Sequence, residues 1–125
     1  RKKRIITTLD LVEIIRGAVP KSYERGRIHP ATRVFQALRI YVNNELGNLE
    51  TVLKSLRNIL KPGGVIIIIS FHSLEDRLVK NHFRDMEKQG LIQIITKKPI
   101  VAEKEEILTN PRGRSAKLRA ALING

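Results

Sequence analysis

Residues 62–77 read PGGVIIIISFHSLEDR: a Pro-Gly-Gly turn, five apolar residues at 65–69, then Ser70, Phe71, His72, Ser73 and a charged run without a spacer. A short apolar run bounded in this way reads as a strand buried on both faces, the type found in parallel sheets. In open α/β sheets ligands sit beyond the carboxyl ends of the strands, so residues 70–77 occupy the place where chemistry is mounted. Ser70 and His72 are therefore candidate site residues by position. A structural reading competes with this one. Ser73 followed by Asp76 is close to a capping box, and Glu75 and Asp76 in a first helical turn answer the helix dipole.

Downstream of that run, Leu74, Leu78, Val79, His82, Phe83 and Met86 mark the apolar side of a helix that Gly90 closes. His72, Glu75 and Asp76 have a spacing that lets one metal ion be faced, but no second His or Cys cluster completes a shell, so no metal is expected. Residues 91–96 and 99–101 read as two short strands around Lys97-Lys98, forming an antiparallel pair. Residues 103–108 read as a helical turn and Asn110-Pro111 as a turn. Ser115 is expected to cap a last helix carrying Leu118 and Leu122.

Upstream, Thr7 or Thr8 caps a helix with Leu11, Ile14, Ile15 and Ala18 on one face, stopped by Val19-Pro20. KSYERGR at 21–27 is a basic loop. Pro30 suits the first turn of a new helix with His29 as N-cap, and apolar residues from Val34 to Leu60 recur at helical spacing. Gly47 inside that pattern costs about 1 kcal/mol relative to Ala, which places a break near Gly47-Asn48 and makes two helices of one. The elements add up to an α/β arrangement with too few strands. A fully buried strand needs neighbours on both sides, and the sequence offers few.

With 125 residues this is one domain or part of one, and a chain that opens on Arg1 rather than Met is expected to be a piece of something longer. Twenty-four Lys and Arg against 12 Asp and Glu leave a formal charge of +12, a field that attracts polyanions, nucleic acid first. The chain has no Trp and no basic amphipathic helix with bulky interfacial aromatics, so a membrane surface is not the expected partner. There is no Cys, which removes disulfides and thiol chemistry and fits a reducing compartment. Asp10 and Glu13 interrupt the apolar N-terminal stretch, which excludes a signal peptide, and residues 65–69 fall far short of the roughly 20 needed to span a bilayer. The expected location is cytoplasmic.

No Walker A loop is present, and Gly63-Gly64 precedes its strand, whereas a phosphate loop follows one. There is no G-x-S-x-G elbow to make Ser70 or Ser73 a nucleophile. The basic residues cluster at Arg1 to Arg4, at Lys21, Arg25, Arg27 and Arg33, at Lys97-Lys98, and at Arg112, Arg114, Lys117 and Arg119. Arg-rich loops and helix starts suit phosphate contact, because guanidinium forks and backbone N–H groups act together there.

Three segments, HPATRVFQALRIYVNNELGNLE at 29–50, PGGVIIIISFHSLEDRLVK at 62–80 and NPRGRSAKLRAA at 110–121, together closely resemble the carboxyl-terminal half of the MraW-type family of small-subunit ribosomal RNA methyltransferases. Gly113 stands where that family's pattern has Ala. The resemblance implies the C-terminal portion of a class I, Rossmann-like methyltransferase fold with an incomplete sheet. It implies that residues 1–28 end a helical insert subdomain and that 29–125 return to the methyltransferase domain, with 65–69 as the fifth strand and 91–101 as the closing hairpin. It also implies S-adenosylmethionine as cofactor, its Gly-rich loop lying upstream of Arg1, and N4 of a cytidine in the decoding region of 16S ribosomal RNA as the methylated atom.

That nitrogen's lone pair is delocalised into the ring, so a site must accept its hydrogens and aim it, and a stacked target must be extruded onto an aromatic or apolar surface. On the resemblance, Ser70, Phe71 and His72 form part of that receiving wall. Arg33, Arg77, Lys97, Lys98, Arg112, Arg114 and Lys117 are the expected RNA contacts. The partner implied is 16S ribosomal RNA or the small ribosomal subunit, and the isolated chain is expected to be inactive. The alternative is a non-catalytic basic RNA-binding or ribosome-assembly module. In either case an isolated fragment is expected to pair its exposed sheet edge or apolar surface with another copy.

Overall fold

The computed structural model describes residues 4–25 and 28–125 and divides the chain into two compact units, Arg1–Glu45 and Leu46–Gly125. Of the expected basic clusters, Arg1, Lys2, Lys3 and Arg27 and the side chain of Arg25 lie outside the described residues.

In the first unit, α1 (Thr8–Ala18) opens on a full capping box: the Thr7 hydroxyl accepts from the Asp10 backbone N–H, and the Asp10 carboxylate accepts from that of Thr7. It ends at Val19, before Pro20. A 3-10 turn at Lys21–Arg25 follows, then α2 (Pro30–Asn43) with proline in its first turn. His29 caps α2, its Nδ1 accepting from the Ala31 N–H at 3.1 Å. Ile15 of α1 and Ala31 of α2 are buried where the two helices meet.

The break in the long helical pattern falls at Asn44, not at Gly47-Asn48. Asn44 adopts the left-handed conformation with φ 49° and ψ 41°, and its N–H returns to the carbonyls of Ile40 and Tyr41. Asn tolerates that conformation, which makes it a C-cap. Gly47 instead lies inside α3 (Glu45–Ile59), its carbonyl accepting from the Thr51 hydroxyl at 2.9 Å.

In the second unit, α3 leads through the Pro62-Gly63-Gly64 turn into β1 (Val65–Ser70), α4 (Ser73–Lys88), β2 (Ile92–Ile94), β3 (Ile100–Val101), α5 (Lys104–Thr109), a 3-10 turn at Pro111–Ser115, and β4 (Lys117–Ile123). The turn is built on glycine for two reasons. Gly63 has φ +82°, and a Cβ on Gly64 would stand 2.9 Å from the Lys61 carbonyl oxygen. Gly63 N–H donates to Ile123 O, and Ile123 N–H donates to Gly64 O, so the turn is fastened to the end of β4.

The residues expected to form a last helix instead form the organising strand of the sheet. β4 is paired antiparallel with β1, β2 and β3, in the order β1-β4-β2 with β3 also on β4. Ser115 therefore caps no helix. The stretches at 91–96 and 99–101 do not pair with each other; each pairs with β4. Leu118 and Leu122 satisfy a helical spacing and a strand alternation equally, and pairing with β1 on one side decides between them.

β1 also differs from its reading as an interior parallel strand. Among the described residues it is an edge, antiparallel to β4, and only one of its faces is covered. Ile66 and Ile68 pack toward α3 and α4, onto a core of Leu53, Leu56, Val79, Phe83, Met86, Ile92, Ala121 and Ile123. Val65, Ile67 and Ile69 on the other face are 49%, 60% and 52% exposed.

Candidate functional site

The carboxyl end of β1 gathers the residues singled out in the sequence. Ser70, the last residue of the strand, is buried and sits directly across from Lys117 at the start of β4. Phe71 follows and is 54% exposed. His72, in extended conformation, is the N-cap of α4: its Nδ1 accepts from the Glu75 N–H at 3.2 Å. The expected cap Ser73 is instead the first helical residue. The reason is geometric, since an N-cap must precede the helical turn and present an acceptor to the exposed N–H groups, and an imidazole nitrogen serves as well as a hydroxyl. Glu75 closes the motif from inside the helix, its carboxylate accepting from the Phe71 N–H at 2.9 Å and approaching His72 Nε2 at 3.5 Å.

Asp76 does more than answer the helix dipole. Buried in the first turn of α4, it receives a bidentate pair from Arg119, Nε to Oδ1 at 2.7 Å and Nη2 to Oδ2 at 3.1 Å. Lys117 Nζ lies 3.8 Å away. The Arg119 hydrogen bonds hold the Asp76 carboxyl below the ordinary carboxylate range, outweighing the opposing effect of burial. Asp76 is thereby committed to Arg119, and His72 Nδ1 to the backbone of Glu75.

Arg119 is thus not a phosphate-contact residue of the C-terminal basic cluster but an internal tie. Sequence reasoning missed the pair. The signal that would have found it is an Arg at an inward position of an alternating strand, which needs a buried carboxylate.

Of the other expected contacts, Arg77 is exposed in the first turns of α4, and Arg112 and Arg114 are exposed on the 3-10 turn that leads into Lys117. Of these, Lys117 is placed at the end of β1 by its pairing with Ser70, and Arg77 lies one helical turn beyond the cap that follows Phe71. Lys97 and Lys98 are exposed on the link between β2 and β3, farther along β4. Arg33 belongs to the other compact unit, where its Nη1 donates to the Tyr23 hydroxyl at 3.0 Å. An exposed aromatic ring can stack a base, and exposed guanidinium and ammonium groups can neutralise phosphates.

The loop after β1 contains no glycine and is closed by its own capping bonds, and the Gly63-Gly64 turn precedes the strand and is fastened to β4.

The profile of the MraW methylase family matches residues 1–123. The chain belongs to that family. Among curated proteins it is 58% identical over 120 residues to a ribosomal RNA small subunit methyltransferase H of Nostoc punctiforme, covering 96% of this chain and 39% of the relative. It is 52% identical over 121 residues to the protein of that name from Persephonella marina (97% and 41%), and 50% identical over 121 residues to that from Acidobacterium capsulatum (97% and 40%). This MraW-family chain therefore spans 39–41% of the length of these relatives. No helix among its described residues is long and apolar enough to cross a membrane.

Proposed function

We propose that this chain supplies the substrate-facing part of an S-adenosylmethionine-dependent methyltransferase acting on N4 of a cytidine in the decoding region of 16S ribosomal RNA. The observation that carries the reading is the end of β1: in a chain of the MraW methylase family, a loop closed by its own capping bonds displays Phe71 next to Ser70, which pairs with Lys117. Phe71 is the member of the wall that can receive an extruded base, since Ser70 is buried and His72 is engaged in the cap. Ser70 and His72 then hold the ring in place. The cations, with Arg33, Lys97 and Lys98, take up RNA phosphates.

The open edge of β1 and the bare face of Val65, Ile67 and Ile69 favour a sheet that continues into further strands of a Rossmann-like class I domain, with residues 29–125 as its C-terminal portion and 1–28 as the end of an inserted helical subdomain. The cofactor loop belongs to the same proposed remainder, and the enzyme works in the cytoplasm.

Two measurements test the reading. Phe71→Ala in the full-length enzyme is expected to lower RNA methylation by at least tenfold while leaving cofactor affinity unchanged; unaltered methylation overturns the wall assignment. Calorimetry of the 125-residue chain with S-adenosylmethionine is expected to show no heat, and micromolar binding overturns the assignment of the cofactor loop to the remainder. The exposed Arg77, Lys97, Lys98, Arg112 and Arg114 suit equally a second reading, a non-catalytic RNA-binding or ribosome-assembly module. A full-length protein that binds the RNA but neither the cofactor nor a methyl group supports that alternative.

A further inference from the structure

A second concave site lies on the core side of the sheet, between α4 and the segment leaving β2. It is a cavity of about 410 Å³, within the size range of small-molecule sites. Its apolar floor is Phe83 and Ile94, and its inner end is Arg119. Around the opening stand Lys80 and Arg84, successive positions on one face of α4, and Lys97 from the strand side.

The backbone creates this arrangement by a local irregularity. After the regular pairing of Ile94 with Ala121, the N–H groups of both Ile95 and Thr96 donate to the single carbonyl of Ala120, at 3.0 and 3.3 Å. The Thr96 hydroxyl accepts from the Ala120 N–H at 2.9 Å in place of a ladder bond. Two residues opposing one is the geometry of a bulge, which re-aims the following side chain. Lys97 is that side chain, and it is turned to the cavity that Lys80 and Arg84 border.

The charges are unbalanced. Arg119 is paired with Asp76, and Glu87, the one carboxylate on the wall among the described residues, accepts from the Ile94 N–H at 2.9 Å and closes the free edge of β2. Lys80, Arg84 and Lys97 form no ion pair among the described residues. Lys80, Arg84 and Lys97 outnumber the Glu87 carboxylate at this concavity, and a tetrahedral anion with several acceptor oxygens answers the excess positive charge.

We infer that this cavity is a phosphate seat, with Lys80, Arg84 and Lys97 as its donors, and that the phosphate is supplied by the RNA backbone. The source of the phosphate rests on the function proposed above. Lys80 lies eight residues beyond His72, the N-cap of α4, a rise of about 12 Å along a helix axis, which is within the reach of a strand whose base lies on Phe71.

The test uses the 125-residue chain and a triple variant Lys80→Ala/Arg84→Ala/Lys97→Ala, with circular dichroism as the check that both fold alike. Inorganic pyrophosphate is expected to shift the backbone amide resonances of Ile94, Thr96 and Lys97 in the wild type and not in the variant. Absent or variant-insensitive shifts overturn the seat. A single-stranded decoding-region RNA is expected to bind the variant at least tenfold more weakly, with the slope of log affinity against log salt shallower by about 0.7 for each phosphate no longer neutralised. Equal RNA affinity and slope in the two proteins overturn the RNA source. If the wild type responds to pyrophosphate but does not bind RNA, the seat stands for a free phosphate compound and the RNA reading of the chain fails.

Discussion

Asp76 and Arg119, 43 residues apart in the chain, meet side by side in a buried two-point ion pair that joins the first turn of α4 to the middle of β4. The pair fixes the helix whose N-cap carries the Phe71 loop against the strand that organises the sheet. Removing Arg119 leaves the buried Asp76 carboxylate without its hydrogen-bonded partner, with only the half-exposed Lys117 3.8 Å away. Arg119→Met is expected to cost about 3–5 kcal/mol, and Asp76→Asn/Arg119→Met to recover most of that loss, because no uncompensated charge remains. Urea unfolding of the wild type and both variants reads this out, and a double variant no better than Arg119→Met would show that packing rather than charge is lost.

The same pair sets a dependence on pH. The Asp76 carboxyl titrates below its ordinary value of 3.8 in the folded chain, so its stabilisation is fully present above the unfolded value and is lost as pH falls through the folded one. Between about pH 5 and pH 3, wild-type stability should fall more steeply than that of Asp76→Asn. Urea midpoints across that window decide it, and parallel curves would remove Asp76 from the acid response.

His72 holds the start of α4 through Nδ1. His72→Ala should cost about 1 kcal/mol, and His72→Asn should restore most of it, since Asn is among the preferred N-cap residues. In the full-length enzyme the two variants separate holding from touching. If Asn rescues stability and methylation together, the imidazole acts by positioning Phe71; if it rescues stability alone, the imidazole meets the substrate.

The glycines of the second unit are not equivalent. A Cβ on Gly113 would meet nothing nearer than 3.8 Å, the Ala102 Cβ and the Asn110 amide nitrogen. Gly113→Ala should therefore raise stability by about 0.4–1 kcal/mol through the entropy of the unfolded chain. Gly64→Ala should lower it, because its Cβ falls 2.9 Å from the Lys61 carbonyl oxygen, a backbone atom held in the turn. Thermal unfolding of the two single variants should move in opposite directions.

The bare face of β1 should make the isolated chain self-associate. Val65, Ile67 and Ile69 are half-exposed or more on an edge strand with unpaired backbone. Ile67→Lys should shift sedimentation toward the monomer, and a wild type that stays monomeric at high concentration would contradict the expectation.

Much of this protein was legible in the linear chain wherever the cause was local. Thr7 and His29 cap their helices, proline opens α2 and the Pro62-Gly63-Gly64 turn precedes a strand, because each depends on residues within a few positions of one another. The three long segments carried the family for the same reason that motifs do, by residue order alone. What only the tertiary structure decided was non-local. Residues 117–123 carry a pattern that suits helix and strand alike, and their partners in β1 and β2 are distant in the chain, as in the pairing of Val65 with Leu122 and of Ile92 with Ile123. Once that strand stands in the middle, β1 becomes an edge with one apolar face uncovered, and Arg119 turns inward to find Asp76. Strand order and buried charge pairs depend on which distant segments meet, and no spacing within a short window encodes that.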